Sequence, residues 1–247
     1  MTIFCLLLTG WFGESGSGHK TTVTRALRDF TAVELQSSLD AEVHEGETFA
    51  VAVTIDDNLQ ALVMTEVKNG VLVVSTKKSL SYRGKARVQV TLPKLSVART
   101  NGSGDLNLAV GSAHDVTIET SGSGAIHFAG PLQKLTAQSN GSGDIVLDIL
   151  GSADALTLST HGSGDITLRS GKANRLEVTV NGSGEVDAAR AQVQLASFVL
   201  SGSGDVSAHV EGEVSNATLR GSGDLELVGK ASVVKQSVQG SGEIRRR

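Results

Sequence analysis

Seven carboxylates recur at one place in a repeated motif: Asp105, Asp144, Asp165, Glu185, Asp205, Asp224 and Glu243 each follow a Gly-Ser-Gly tripeptide. The tripeptides begin at Gly102, Gly122, Gly141, Gly162, Gly182, Gly202, Gly221 and Gly240, and the remaining copy is followed by Ala125. Acids repeated at a fixed interval have two chemical uses. As acceptors they can take hydrogen bonds from turn amides, a common role for Asp. As clustered hard oxygens they can form a ladder of cation sites. Stacked ~5 Å apart, they would repel by ~1 kcal/mol per neighbouring pair or less in water, so one of these roles must offset the repulsion. The turn role is the simpler expectation and the cation ladder the sharper one. The nine-residue glycine-rich calcium repeat is absent, and no residue is assigned to a metal.

Other chemistry finds little support. Catalysis on a polysaccharide needs a local cluster of unlike residues, such as two carboxylates about 5 to 9 Å apart beside a cleft, whereas these acids repeat uniformly. His19, His44, His114, His127, His161 and His209 occupy different repeat positions, and no Ser-His-Asp or metal-ligand spacing emerges. No catalytic residue is named, no cofactor is expected, and the chain reads as a non-enzyme. A formal charge of −4 argues against a phosphate-binding surface, so no nucleic-acid partner is expected. One Cys excludes an intramolecular disulfide framework.

The elements that hold the acids follow from the period. Successive tripeptides are 20, 19, 21, 20, 20, 19 and 19 residues apart. After each acid, apolar residues alternate, as in Leu106 and Leu108, Ile126 and Phe128, Ile145 and Leu147, or Ile166 and Leu168. Upstream of the turn a second alternation appears, as in Val116 and Ile118, Leu135 and Ala137, Leu156 and Leu158, or Leu176 and Val178. Each alternation is a strand with one buried face. Between the two strands a small or medium apolar residue marks a corner: Ala113, Leu132, Ala153, Ala173, Val193 or Ala231. Such a unit is a marginal hairpin alone, so units must stack with equivalent strands parallel. The predicted fold is all-β, a parallel β-helix (solenoid) with rungs of about 20 residues and Gly-Ser-Gly-Asp turns. At ~4.8 Å per rung the eight turns would span roughly 35 Å. A crossover helix does not fit the period.

Residues 20–100 keep strand alternation without the strict period and read as irregular β-helix rungs or a cap, with 101–247 as the regular repeats. Gln36 to Val43 aligns with His161 to Leu168 as a decayed copy of the turn. Residues 57–67 hold the only helical candidate, with Leu59, Leu62, Val63 and Glu66 on one face. Residues 1–19 read as a remnant of an export signal and a linker. Their apolar run is too short to span a bilayer and lacks a basic leader; lipidation of Cys5 is disfavoured by Phe4 before it. Arg245, Arg246 and Arg247 are candidates for a charged stop against end-to-end stacking.

The order Thr21-Thr22-Val23-Thr24-Arg25, Asp29-Phe30-Thr31-Ala32-Val33-Glu34-Leu35, Asp57-Asn58-Leu59 and Lys68-Asn69-Gly70-Val71-Leu72-Val73-Val74, followed by the Gly-Ser-Gly-Asp turns, resembles the DUF2807 family, the auto-transporter adhesin head GIN domain. The resemblance implies a β-helical, exported or envelope-associated bacterial protein in the periplasm, the outer membrane or at the cell surface. It transfers no catalytic residue. The resulting expectation is an adhesin-like module that does not span the membrane and binds a glycan or protein through a repetitive face, where weak identical contacts add by avidity. A self-assembling scaffold and a polysaccharide-acting enzyme are the alternatives. Only 3% of residues are aromatic, so planar anchors for a partner are scarce.

Overall fold

The computed structural model describes residues 13–247. The export-signal expectation and Cys5 fall on residues 1–12 and lie outside the described residues.

Two long sheets run the length of the molecule, joined on one side by the glycine turns. The upstream sheet holds the strands that enter the turns. Val97–Thr100, Asp115–Thr120 and Lys134–Ser139 stack in parallel there, in register Ala98↔Ile118 and Ile118↔Ala137. The downstream sheet holds the strands that leave the turns, with Leu106↔Ile126↔Ile145↔Ile166↔Val186↔Val206 in one parallel column. From Ile145 to Gly221 the corner is hydrogen-bonded as well, so these rungs are each one bent strand: Ile145–Thr160, Ile166–Gly182, Val186–Gly202 and Val206–Gly221. The inward residues of both sheets form one continuous apolar core. The β-helix expected from the period is therefore the fold.

One corner differs from expectation. Ala113 is exposed, and His114 turns inward in its place. The reason is Glu45, whose carboxylate accepts the amides of Leu95, Gly111 and Ser112 at 2.9, 3.0 and 3.3 Å. His114 lies against it, with Nε2 3.2 Å from Glu45 Oε1 and 2.6 Å from the Leu95 carbonyl. A buried carboxylate needs such partners, and meeting them draws His114 rather than Ala113 to the interior.

The winding extends into the first hundred residues. Ala32–Gln36 and Asp40–Glu45 pair in parallel with Val97–Thr100 and Leu106–Ala109. The decayed turn between them accepts from the next rung, Gly104 N to Ser37 O at 3.0 Å. One further rung, Val71–Thr76 and Arg87–Leu92, pairs in parallel with Ala32–Gln36 and Asp40–Glu45, and beyond it the parallel pattern gives way. On the downstream sheet Arg87–Leu92 pairs antiparallel with Ala50–Asp56, which pairs antiparallel with Lys20–Arg25. On the upstream sheet Val71–Thr76 forms a hairpin with Val63–Lys68, closed by Asn69 and Gly70, both at positive φ, as a two-residue hairpin turn demands. The helical candidate at 57–67 contracts to a 3-10 helix, Asp57–Leu62. It crosses from one sheet to the other with Leu59 fully buried over the end of the core, and Val63 onward is strand.

Candidate functional site

The turns fix where the acids stand. In each regular rung the carbonyl of the first glycine accepts two amides from the next turn. Gly102 O takes Ser123 N and Gly124 N, both at 3.1 Å, and the pattern runs on to Gly221 O with Ser241 N and Gly242 N at 2.9 and 3.1 Å. Both lone pairs of each carbonyl are used. A Cβ on either glycine of these turns would run into the backbone of the rung before it, so glycine is needed for close approach of one turn to the next. Inside the corner, buried Thr100, Thr120, Ser139 and Thr160 donate to the carbonyls of Gly104, Gly124, Gly143 and Gly164 at 2.8 to 3.1 Å. Val180, Leu200 and Leu219 take this place in later rungs and are also buried.

The acids then form a ladder along the outside of the corner. Each Asp accepts, through Oδ1, the amide of the residue one rung on. Asp40 takes Asp105 N at 3.1 Å, Asp105 takes Ala125 N at 2.8 Å and Asp144 takes Asp165 N at 2.9 Å. Asp165 takes Glu185 N at 2.7 Å, Asp205 takes Asp224 N at 2.7 Å and Asp224 takes Glu243 N at 2.8 Å. The acceptor role thus runs between rungs rather than within one turn, and Asp40 belongs to it although no tripeptide precedes it. The ladder breaks after Ala125, which has no carboxylate, and after Glu185, which is one methylene longer than Asp and, among the described residues, takes no amide of the next rung. Burial, with the charges of Asp165, Asp187 and Asp205 added, pushes the Glu185 carboxyl above its ordinary value. At the last rung Arg245 pairs with Asp224 and Glu243, each at 3.1 Å. Among the described residues no three His, Cys, Asp or Glu side chains converge as a metal cluster.

A second feature sits on the same face, at the rung that breaks the ladder. The outward residues of that rung are Ala125, His127 and Ala129. Ala129 stacks on Ala109, and this alanine pair is bounded in register by His44 on one side and Asp148 on the other. The result is a recess of about 330 Å³ floored by the two alanines and walled by His44, Asn107, His127, Asp148 and Arg169. Arg169 Nη1 lies 3.6 Å from Asp148 Oδ2. That is close enough for charge compensation and too long for a hydrogen bond, which leaves both groups able to bond a ligand. Exposed alanine is a poor strand former, so the stability of the sheet does not explain the pair. The sequence pattern treats the six histidines as scattered; the winding brings His44 and His127 together in one recess. The signal available in the sequence is the one tripeptide that lacks its acid.

A long periodic face, a glycine-turn corner and one non-periodic recess define a β-solenoid. The model of the family described as "Putative auto-transporter adhesin, head GIN domain" (DUF2807) matches residues 29–231, and the chain belongs to that family. Solved structures share the fold. A "putative lipid binding protein" from Parabacteroides distasonis is 27% identical, with a TM-score of 0.85 over 94% of this chain and 98% of that one. A "putative adhesin" from Parabacteroides merdae is 23% identical, TM-score 0.86, over 94% and 98%. Another from P. distasonis is 23% identical, TM-score 0.87, over 96% and 100%. No curated protein matches the chain. Among the described residues no helix is long and apolar enough to cross a membrane, which says nothing of β-barrels.

Proposed function

We propose that this protein is an exported, non-enzymatic adhesin-like module that holds a glycan against its downstream face, with the recess between His44 and Arg169 as the point of recognition. The observation that carries the reading is the interruption of a periodic face by two stacked alanines ringed with unlike polar groups. Imidazole, amide, carboxylate and guanidinium groups together offer donors and acceptors at several angles, which suits the vicinal hydroxyls of a sugar ring, while the alanine methyls meet its C–H face. A volume of about 330 Å³ is at the small end for ligand sites and fits one sugar unit rather than a large molecule. The regular rungs on either side supply further weak contacts that add only if the partner is itself extended. The ladder aspartates spend Oδ1 on backbone amides, a structural duty that favours a scaffold over a general base.

The test is a glycan array probed with the full chain, followed by titration of each hit against Ala129→Gln and Arg169→Ala. Filling the recess with a glutamine side chain is expected to weaken the hit by roughly tenfold or more, and removing the guanidinium to weaken it also. Thr136→Gln on the upstream sheet should leave it unchanged. Binding that ignores both recess changes overturns the recess, and an array without hits overturns the glycan reading.

A further inference from the structure

The end of the solenoid that carries the antiparallel strands holds a groove with a different character. After Arg25 the chain leaves its partner strand and runs as Ala26–Arg28 beside Glu47–Ala50, opening a groove of about 530 Å³. Its apolar wall comes from Ala26, Leu27, Phe49 and Ala50. Leu27 and Phe49 are only partly buried and rest on the core, and Phe49 is held in place by Phe30, with ring centroids 5.0 Å apart. The same chain segment borders a second depression of about 410 Å³ on its other side, which ends at Met64, a residue 38% exposed. Apolar surface therefore continues around the segment.

The polar groups of this groove carry a net positive charge. Among the described residues Arg25 and Arg28 line it with one acid, Glu47. Arg25 is anchored through Nη2 to the carbonyl and side-chain oxygens of Gln60 at 3.1 and 3.3 Å. Among the described residues its Nε is buried and has no acceptor. A buried donor without an acceptor is costly to keep, and a guanidinium is shaped to take a carboxylate. A mostly apolar concavity with a few placed polar groups is the usual form of a small-molecule site.

We infer that this groove binds a long-chain carboxylate, a fatty acid, with its head on the Arg25 and Arg28 guanidinium groups and its alkyl chain along Ala26, Leu27, Phe49 and Ala50. One carboxylate balances the excess of one positive charge, and the chain covers apolar surface that water otherwise meets. The site is separate from the recess on the downstream face, so either can stand without the other.

The probe is cis-parinarate, whose fluorescence rises in an apolar site, added to the full chain and displaced with oleate. Saturable binding in the micromolar range is expected, with oleyl alcohol, which lacks the charge, weaker by roughly tenfold or more. Arg28→Gln should weaken oleate and leave oleyl alcohol unchanged. Ala50→Trp, at an exposed position, should block both while circular dichroism stays that of the parent. Absence of saturable binding overturns the inference, as does oleate binding that survives Ala50→Trp or fails to exceed that of oleyl alcohol.

Discussion

At the scale of single residues the acid ladder makes two predictions, one for removing a charge from the column and one for adding a charge to it. Glu185 is the member whose carboxyl is pushed up, by burial first and then by Asp165, Asp187 and Asp205. A raised value means that the folded chain holds this proton more tightly than the unfolded one. The group's contribution is therefore fully present below its ordinary value of 4.5 and is lost as pH rises through the folded value. Glu185→Gln should melt higher than the parent at neutral pH, with the difference closing below pH 4.5. Because the side chain is largely exposed, screening keeps the gain under about 1 kcal/mol. Melting curves across the acid range decide it; two parallel curves would show that the acid column exerts no such force. Ala125→Asp works the other way, by adding an acceptor for the Asp144 amide as Asp105 does for Ala125. One more charge-assisted bond, less the repulsion of a new charge, should raise stability by about 1 kcal/mol, read as the midpoint of chemical unfolding. A lower midpoint would mean that repulsion outweighs the bond and that the alanine relieves the column.

At the scale of elements the turn is the unit to test, since the second glycine of each tripeptide is fixed by its neighbour in the rung before rather than by its own conformation. Gly143 has no positive φ, yet a Cβ there would meet Gly124 O and Thr120 Oγ1. Gly143→Ala should therefore cost about 1 to 3 kcal/mol through overpacking, while Ser142→Ala beside it, at an exposed position, should stay within about 0.5 kcal/mol. Equal costs at the two positions would refute close stacking as the reason for glycine. This is also where sequence and structure part. The rungs are readable because a period near 20 residues and an alternation of two fix both sheets and the direction of pairing, and every apolar residue at those strand positions from Leu106 to Val178 is buried. The antiparallel end is not readable from the period, because Asn69-Gly70 marks a hairpin only when local turn chemistry is weighed against the parallel repeat. Ala113 fits the corner by its place in the period, yet Glu45 gives that corner to His114, a contact between residues far apart in sequence. The recess was hidden for the same reason, since His44 and His127 become neighbours only through the register of intervening rungs.

At the scale of the whole molecule the consequence of stacking is that stability is shared between nearest rungs. Leu158 is fully buried and sits in register between Ala137 and Val178, so its side chain supports an interface on each side. Val238 pairs with Leu219 but is 44% exposed, and supports one interface only in part. In a quasi-one-dimensional array the sum of such interfaces is the stability. Leu158→Ala should cost about 2 to 5 kcal/mol and Val238→Ala less than about 1 kcal/mol. Hydrogen exchange should show the same gradient without any mutation. The amides of Ile145–Thr160 and Ile166–Gly182, each flanked by rungs on both sides, should exchange through the largest openings. Those of Gln236–Gly240 and Ile244–Arg246 should exchange first, through local fraying. In the Leu158→Ala chain the loss of protection should fall most heavily on the mutated rung and its two neighbours and fade along the rod. Protection lost evenly along the chain would show instead that the molecule opens as one body and that stacking between neighbours does not set its stability.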